Sequence, residues 1–298
     1  MKEFNRVILW LVFIFASFTS LAAQESGVKT LFWEISGKDL TKPSYLFGTM
    51  HIIPKSEFRN FDVADDLLER SERLVLEMEI DVPLKQQMEW AKLMMLPEGQ
   101  LISDFTDEDN FTRLRSYAID SLEIKEFLFN AYIKMKPFAF YSALIPHAIG
   151  KKIEGFELHF SKIATKKEIP VFGLESFEYQ MAIFDSIPYP EQINLFFDED
   201  LDLRNEMYEM LEIYWSQDIY AMAGLVSEEN SEYARFEEKL LSMRNQNWAG
   251  QLENLMLEYS CFVAVGAAHL AGPDGLIRLL REKGYTVNPV CLVPGCDE

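Results

Sequence analysis

The sequence predicts a mixed α/β fold: a partly parallel sheet flanked by helices, with a large helical insert that forms a cleft. Three observations lead there. Short apolar runs of strand length, Ser44 to Phe47, Leu74 to Leu76, Ile169 to Glu175 and Cys261 to Val265, are spread along the chain between segments of helical periodicity. The C-terminal stretch reads strand, helix, strand, from Cys261 to Val265 through Leu276 to Lys283 to Tyr285 to Val290, which makes at least part of the sheet parallel. Around residues 84 to 150 the apolar side chains keep helical spacing and no linker bounds them, so this region reads as an insert rather than a separate domain.

Taken in order, Leu31 to Ile35 and Ser44 to Phe47 form a hairpin, with Gly37, Lys38 and Asp39 as turn material. Asp62 to Arg70 is helical in pattern. Leu74-Val75-Leu76 is expected to run on into Glu77 to Asp81, where strict alternation places Glu77, Glu79 and Asp81 on one face of the strand. That is unusual in a core, because unpaired buried carboxylates are expensive. Helices are expected from Leu84 to Met95, Asp107 to Ile119, Leu122 to Lys134 and Phe138 to Ile145, with Pro97-Glu98-Gly99 as a break and Pro137 in the first turn of the last. Glu154 to Lys167 is an amphipathic helix, and Gln180 falls early in the helix after Glu175. Residues 191 to 258 are nearly all helical in composition, with Glu228-Glu229 and Glu237-Glu238 as solvated surface. Gly284 caps the final helix.

The 298 residues, 49% of them hydrophobic, can bury one large core. Residues 1–23 are read as an export signal and 24–298 as a single domain. Lys2 and Arg6 precede an apolar run from Val7 to Phe18, and Ser20-Leu21-Ala22-Ala23 supplies small residues for cleavage. The run is shorter than the roughly 20 residues a span needs, so no stable membrane span is expected after cleavage. The mature protein is expected in the periplasm or outside the cell. A formal charge of -20 repels polyanions and excludes nucleic acid as a partner; it suits solubility or the binding of metals and cationic ligands. In an oxidising compartment Cys291 and Cys296, around Pro294-Gly295, can close a small disulfide loop, whereas Cys261 reads as a buried small side chain.

Two of the four histidines sit in a repeated G-x-x-H, Gly48 to His51 and Gly266 to His269, and each follows the end of an apolar strand. Glu77, Glu79 and Glu175 also leave strand ends, and in sheets of this kind ligands are held at the carboxyl edge. Two imidazoles with carboxylates are the donor set of a divalent metal, which can activate a water for hydrolysis. The spacing is dispersed, unlike H-E-x-x-H, and each histidine taken singly fits a structural hydrogen-bonding role. Arg244 could stabilise an oxyanion in the same cleft or pair with an acidic side chain. His147 and His159 read as cap or surface. No G-x-S-x-G, P-loop or dinucleotide fingerprint is present.

The segments Tyr45 to Ile52, Leu76 to Glu79, Gly173 to Glu175 with Gln180, Arg244-Asn245, and Val263 to Leu270 through Gly275 to Val287 resemble the TraB/GumN family, relatives of the animal Tiki proteins described as metal-dependent proteases. The resemblance spans essentially the whole mature chain. It implies a mixed sheet enclosing a cleft, with His51, His269 and a carboxylate, Glu77 or Glu175, binding Mn2+ or Co2+, and Zn2+ as a further candidate. Glu77, Glu79, Glu175, Arg244 and Asn245 are the candidate catalytic residues. Many relatives carry an aspartate two residues beyond Gly155, where this chain has Glu157. The leading expectation is an exported metal-dependent hydrolase acting on a peptide or protein. Its rivals are a non-catalytic peptide- or ligand-binding protein whose polar cluster is structural, and a metallohydrolase of an ester or lactone.

Overall fold

The computed structural model describes residues 28–196, 201–227 and 236–292. The expected export signal, Glu228-Glu229 and Cys296, and with it the pairing to Cys291, lie outside the described residues. Strands β1 (Phe32–Ser36) and β2 (Ser44–Thr49) form the expected hairpin, Phe32 opposite Phe47. After the short β3 (Ile53–Pro54) comes helix α1 (Asp62–Arg70), whose buried Ala64 and Leu68 lie one turn apart, and then β4 (Arg73–Leu76).

The region from 84 to 149 is helical: α2 (Leu84–Leu93), α3 (Glu108–Ser116), a π turn at Tyr117–Ser121, α4 (Glu126–Tyr132) and α5 (Pro137–Ile149). Pro137 occupies the first turn of α5, where a missing N–H costs nothing. The expected helix from Glu154 starts two residues later, because Ile153 and Glu154 form β5, paired with β3; α6 then runs Phe156–Lys167. Strand β6 (Val171–Gly173), helices α7 (Phe177–Asp185), α8 (Tyr189–Phe196), α9 (Leu203–Trp215) and α10 (Ile219–Ser227), and α11 (Met243–Glu258) follow. The chain closes with β7 (Cys261–Gly266), α12 (Leu276–Glu282) and β8 (Thr286–Pro289). No helix among the described residues is long and apolar enough to cross a membrane.

The main sheet has the order β6-β4-β7-β2-β1-β8. β6, β4, β7 and β2 are mutually parallel, and β1 is antiparallel to both its neighbours. β7 to β8 is therefore a parallel crossover through α12, as the terminal pattern predicts. β7 lies between two parallel strands, and its Cys261 to Val265 are all fully buried, the reason this run is apolar without alternation. Phe47 and Phe262 stack on one face and meet Phe160 of α6, with Phe156 against Phe47. Tyr214 of α9 is fully buried and donates to the carbonyl of Gly48 at 2.9 Å, tying a helix to the first G-x-x-H.

One strand expectation is corrected. The ladder of β4 ends at Leu76, so Glu77, Glu79 and Asp81 do not share a strand face. Glu77 is buried while Glu79 and Asp81 are exposed. Ending the strand there lets the carboxylates without a partner reach water and turns inward only the one that has an arginine to meet.

Candidate functional site

The parallel arrangement brings four strand ends to one edge of the sheet. Glu77 is the residue after β4, Glu175 lies two residues beyond β6, and His51 two residues beyond β2. Gly266 ends β7, and a single 3-10 turn, Ala267–His269, carries His269 back over that edge. Arg244 and Asn245 come from the first turn of α11, directly after a π turn at Glu238–Ser242. Such wide turns place side chains that a regular helix would rotate elsewhere. Gly266 forms the floor: a Cβ there would lie 3.2 Å from Glu77 Oε1 and 3.6 Å from His51 Nε2.

Glu77 Oε1 accepts from the Gly266 N–H at 2.8 Å and lies 3.9 Å from Nε2 of His51 and 3.9 Å from Nε2 of His269. Both imidazoles are anchored through the other nitrogen. His269 Nδ1 is 2.6 Å from Asn245 Oδ1, and the Asn245 amide nitrogen donates to the carbonyl of Asp274 at 2.9 Å, so that oxygen must accept and Nδ1 carries the proton. The Nε2 lone pair of His269 is thereby turned into the cluster. His51 Nδ1 is 2.8 Å from Glu157 Oε1, which also accepts from the Thr49 hydroxyl.

Arg244 joins the two acids: Nη2 reaches Glu77 Oε2 at 2.6 Å and Glu175 Oε2 at 3.0 Å, and Nε donates to Glu175 at 3.1 Å. Its Nη1 donates to the Leu240 carbonyl at 3.1 Å and faces His269 Nε2 at 3.2 Å. The fully buried Trp248 donates to Glu175 Oε1 at 2.9 Å, packs its ring 4.4 Å from that of His269, and lies under the guanidinium. Gln180 is a looser neighbour, 3.4 Å from both Glu77 and Glu175.

The electrostatics follow from these contacts. Burial pushes His269 down to about 3, so it is neutral. The Glu157 carboxylate drives His51 up to about 9 against its desolvation, although the His51 side chain is 59% exposed. Burial would raise Glu77, but Arg244, with the imidazoles, overrides it and holds the carboxyl well below the usual range. Burial likewise opposes the Arg244 charge, and Glu77 and Glu175 sustain it. The Arg244 guanidinium and a protonated His51 meet three carboxylates, Glu77, Glu175 and Glu157, which leaves a net negative charge that a cation would neutralise.

Of the residues singled out from the sequence, His51, His269, Glu77, Glu175, Arg244 and Asn245 come together. Glu79 does not: it is exposed, beyond the end of β4. Thr49, a variable position inside the first G-x-x-H, and Trp248, just after Arg244-Asn245, were not legible as site residues, since both reach the cluster only through long-range contacts. Glu157, whose role the sequence left open, holds His51.

A family model described as the TraB/PrgY/gumN family matches residues 31–289, most of the chain. The chain belongs to the TraB/PrgY/gumN family. No curated protein and no solved structure matches it. In this TraB/PrgY/gumN member both G-x-x-H segments lie at the carboxyl edge of adjacent parallel strands, Thr49 beside Gly266, which is why two motifs so distant in sequence share one site.

Among the described residues no group of three or more His, Cys, Asp or Glu stands in an arrangement that could hold a metal ion as it is. The spacing of Glu77 from each imidazole is nevertheless one that a single ion could span. With metal–ligand bonds of about 2.1 Å, two ligands of one ion lie no more than about 4.2 Å apart, and the 3.9 Å from Glu77 to each histidine falls inside that limit. Arg244 Nη1 stands near the same position and would have to withdraw towards the Leu240 carbonyl it already touches.

Proposed function

We propose that this chain is an exported metal-dependent hydrolase, a peptidase, in which His51, His269 and Glu77 hold one divalent ion, Mn2+ or Co2+ with Zn2+ as a further candidate. The observation that carries this reading is the symmetry of the two imidazoles. Each has Nδ1 fixed by an oxygen acceptor, and each directs Nε2 at the same glutamate oxygen across the same 3.9 Å. Acceptors on the distal nitrogen orient metal-binding histidines and raise their basicity.

When bound, such an ion would supply a water that ionises near neutral pH. The residues of the chain do the rest. Asn245 fixes the tautomer of His269, and Glu157 holds His51 in place. Glu157 also lines the open cleft beside the cluster and is the carboxylate placed to accept a proton there. Glu175 has both oxygens engaged by Arg244 and Trp248, so in this reading it positions the guanidinium rather than a metal. Arg244, drawn back towards the Leu240 carbonyl, would keep its charge beside the site, where it stabilises an oxyanion.

Calorimetric titration of chelator-treated protein with Mn2+, Co2+ and Zn2+ tests the ligand set. One ion per chain is expected for the parent and a loss of binding in His51→Ala and His269→Ala. Unchanged stoichiometry in both variants would rule the assignment out.

A second reading has its own observation. Arg244 already contacts Glu77, Glu175 and His269, which is what a structural polar network in a non-catalytic binding protein requires. It predicts equal stability with and without chelator, and no turnover of a broad peptide library in the presence of any of the three metals.

A further inference from the structure

A cleft of about 270 Å3 opens directly beside the cluster, lined by His51, Glu77 and Glu157 together with the apolar Met78, Ile80 and Leu158. Its volume falls just short of the roughly 300 Å3 at which small-molecule sites begin, so it suits one large side chain better than a whole ligand. We propose that this cleft is a side-chain pocket for a large apolar residue, aliphatic or aromatic, of a peptide lying across His51 and Glu77. The inference rests on the peptide-directed reading of the site above and names the residue class it takes.

Three features of the wall argue for it. Leu158 is 44% exposed, although it sits in α6 between Phe156 and Phe160, both fully buried; its side chain is on the cleft side of a helix that otherwise spends its apolar residues on the core. Met78 and Ile80, half-buried, line the same cleft, and methionine adapts its shape to different apolar occupants. The Glu77 and Glu157 carboxylates in the same lining would repel an acidic side chain.

Gln180 argues for a peptide rather than an ester. Its amide nitrogen is 3.4 Å from Glu77 and Glu175, and its carboxamide oxygen accepts no hydrogen bond among the described residues. Gln180 lines the cleft, and an acceptor it presents there would match a backbone N–H, a donor that an ester lacks at the same position.

The test uses the full chain without added metal, with 13C-labelled methionine and isoleucine methyls, and blocked tripeptides acetyl-Ala-Xaa-Ala-amide. Resonances are assigned through Met78→Leu and Ile80→Val. Leu and Phe at the central position are expected to shift the Met78 and Ile80 methyls saturably, binding at least about tenfold tighter than Gly, with Asp weakest. Replacing the central N–H of the Leu peptide by an ester oxygen should weaken binding. Leu158→Asp should abolish the shifts while the remaining methyl spectrum stays native. The proposal is overturned if Gly or Lys peptides bind as well as Leu, if no shifts occur, or if Leu158→Asp binds like the parent. Because the readout needs no turnover, shifts without metal binding would leave the pocket and remove the hydrolase; metal binding without shifts would do the reverse.

Discussion

Arg244 Nη2 donates to Glu77 Oε2 at 2.6 Å, joining two side chains 167 positions apart and both nearly out of contact with water, 12% and 9% exposed. This pair connects α11 to the end of β4 and, through Glu175, to the end of β6. Removing one member of a buried ion pair leaves a charge with no partner, at a cost of about 3–5 kcal/mol. Arg244→Met is therefore expected to lose that much in urea unfolding, with part recovered in Arg244→Met/Glu77→Gln. A loss below about 1 kcal/mol in the single variant would show that the pair does not hold the edge together.

The metal-free protein is expected to lose stability as pH falls below about 6.5. His269 has its folded pKa lowered to about 3, so the unfolded chain binds the extra proton between the ordinary 6.5 and 3, and stability drops through that window. Glu77, also lowered, adds a loss that begins near its ordinary 4.5 as pH falls towards its depressed folded value. His51 is raised to about 9, so its contribution is complete below 6.5 and is lost as pH rises through 9; the exposure of its ring keeps that limb shallow. Melting temperatures in chelator from pH 3.5 to 9.5 check this, with His269→Gln expected to flatten the acid limb between 6.5 and 3.5.

Gly155→Ala is expected to destabilise the protein by about 1–3 kcal/mol, the range for overpacking. A Cβ at that position would lie 2.1 Å from the His51 carbonyl oxygen, so the backbone carrying His51 must move. Gly250→Ala is the matched control. It lies inside α11 with nothing within 4 Å of the added carbon, and alanine there should stabilise by about 0.5–1 kcal/mol. Thermal melts of the two variants, with Mn2+ titrations, separate an effect on His51 from a general one; a neutral Gly155→Ala would contradict the close approach.

Glu79→Gln and Glu77→Gln should part company. Glu79 is exposed and outside the cluster, so its replacement is expected within about 0.5 kcal/mol of the parent, with metal stoichiometry unchanged. Glu77→Gln removes the negative charge that both histidines face and should abolish binding of the ion. Equal effects in the two variants would return Glu79 to the site.

The sequence by itself determined the class of fold and the raw material of the site. Strand-length runs closed by glycine and histidine, with helical spacing between them, are local patterns set by backbone periodicity, and β1, β2, β7 and most helices follow them closely. That Thr49 would lie beside Gly266, and so bring His51 and His269 to one glutamate, depended on parallel pairing of strands more than 200 residues apart. Tertiary structure alone decided which carboxylate turns inward. Glu77 and Glu79 carry the same chemistry two positions apart, and only the position of Arg244, delivered by a π turn in a distant helix, makes burying one of them affordable while the other stays in water. It also decided that Glu157 holds His51 and that Trp248 backs Glu175, because those contacts join elements whose approach no local pattern encodes.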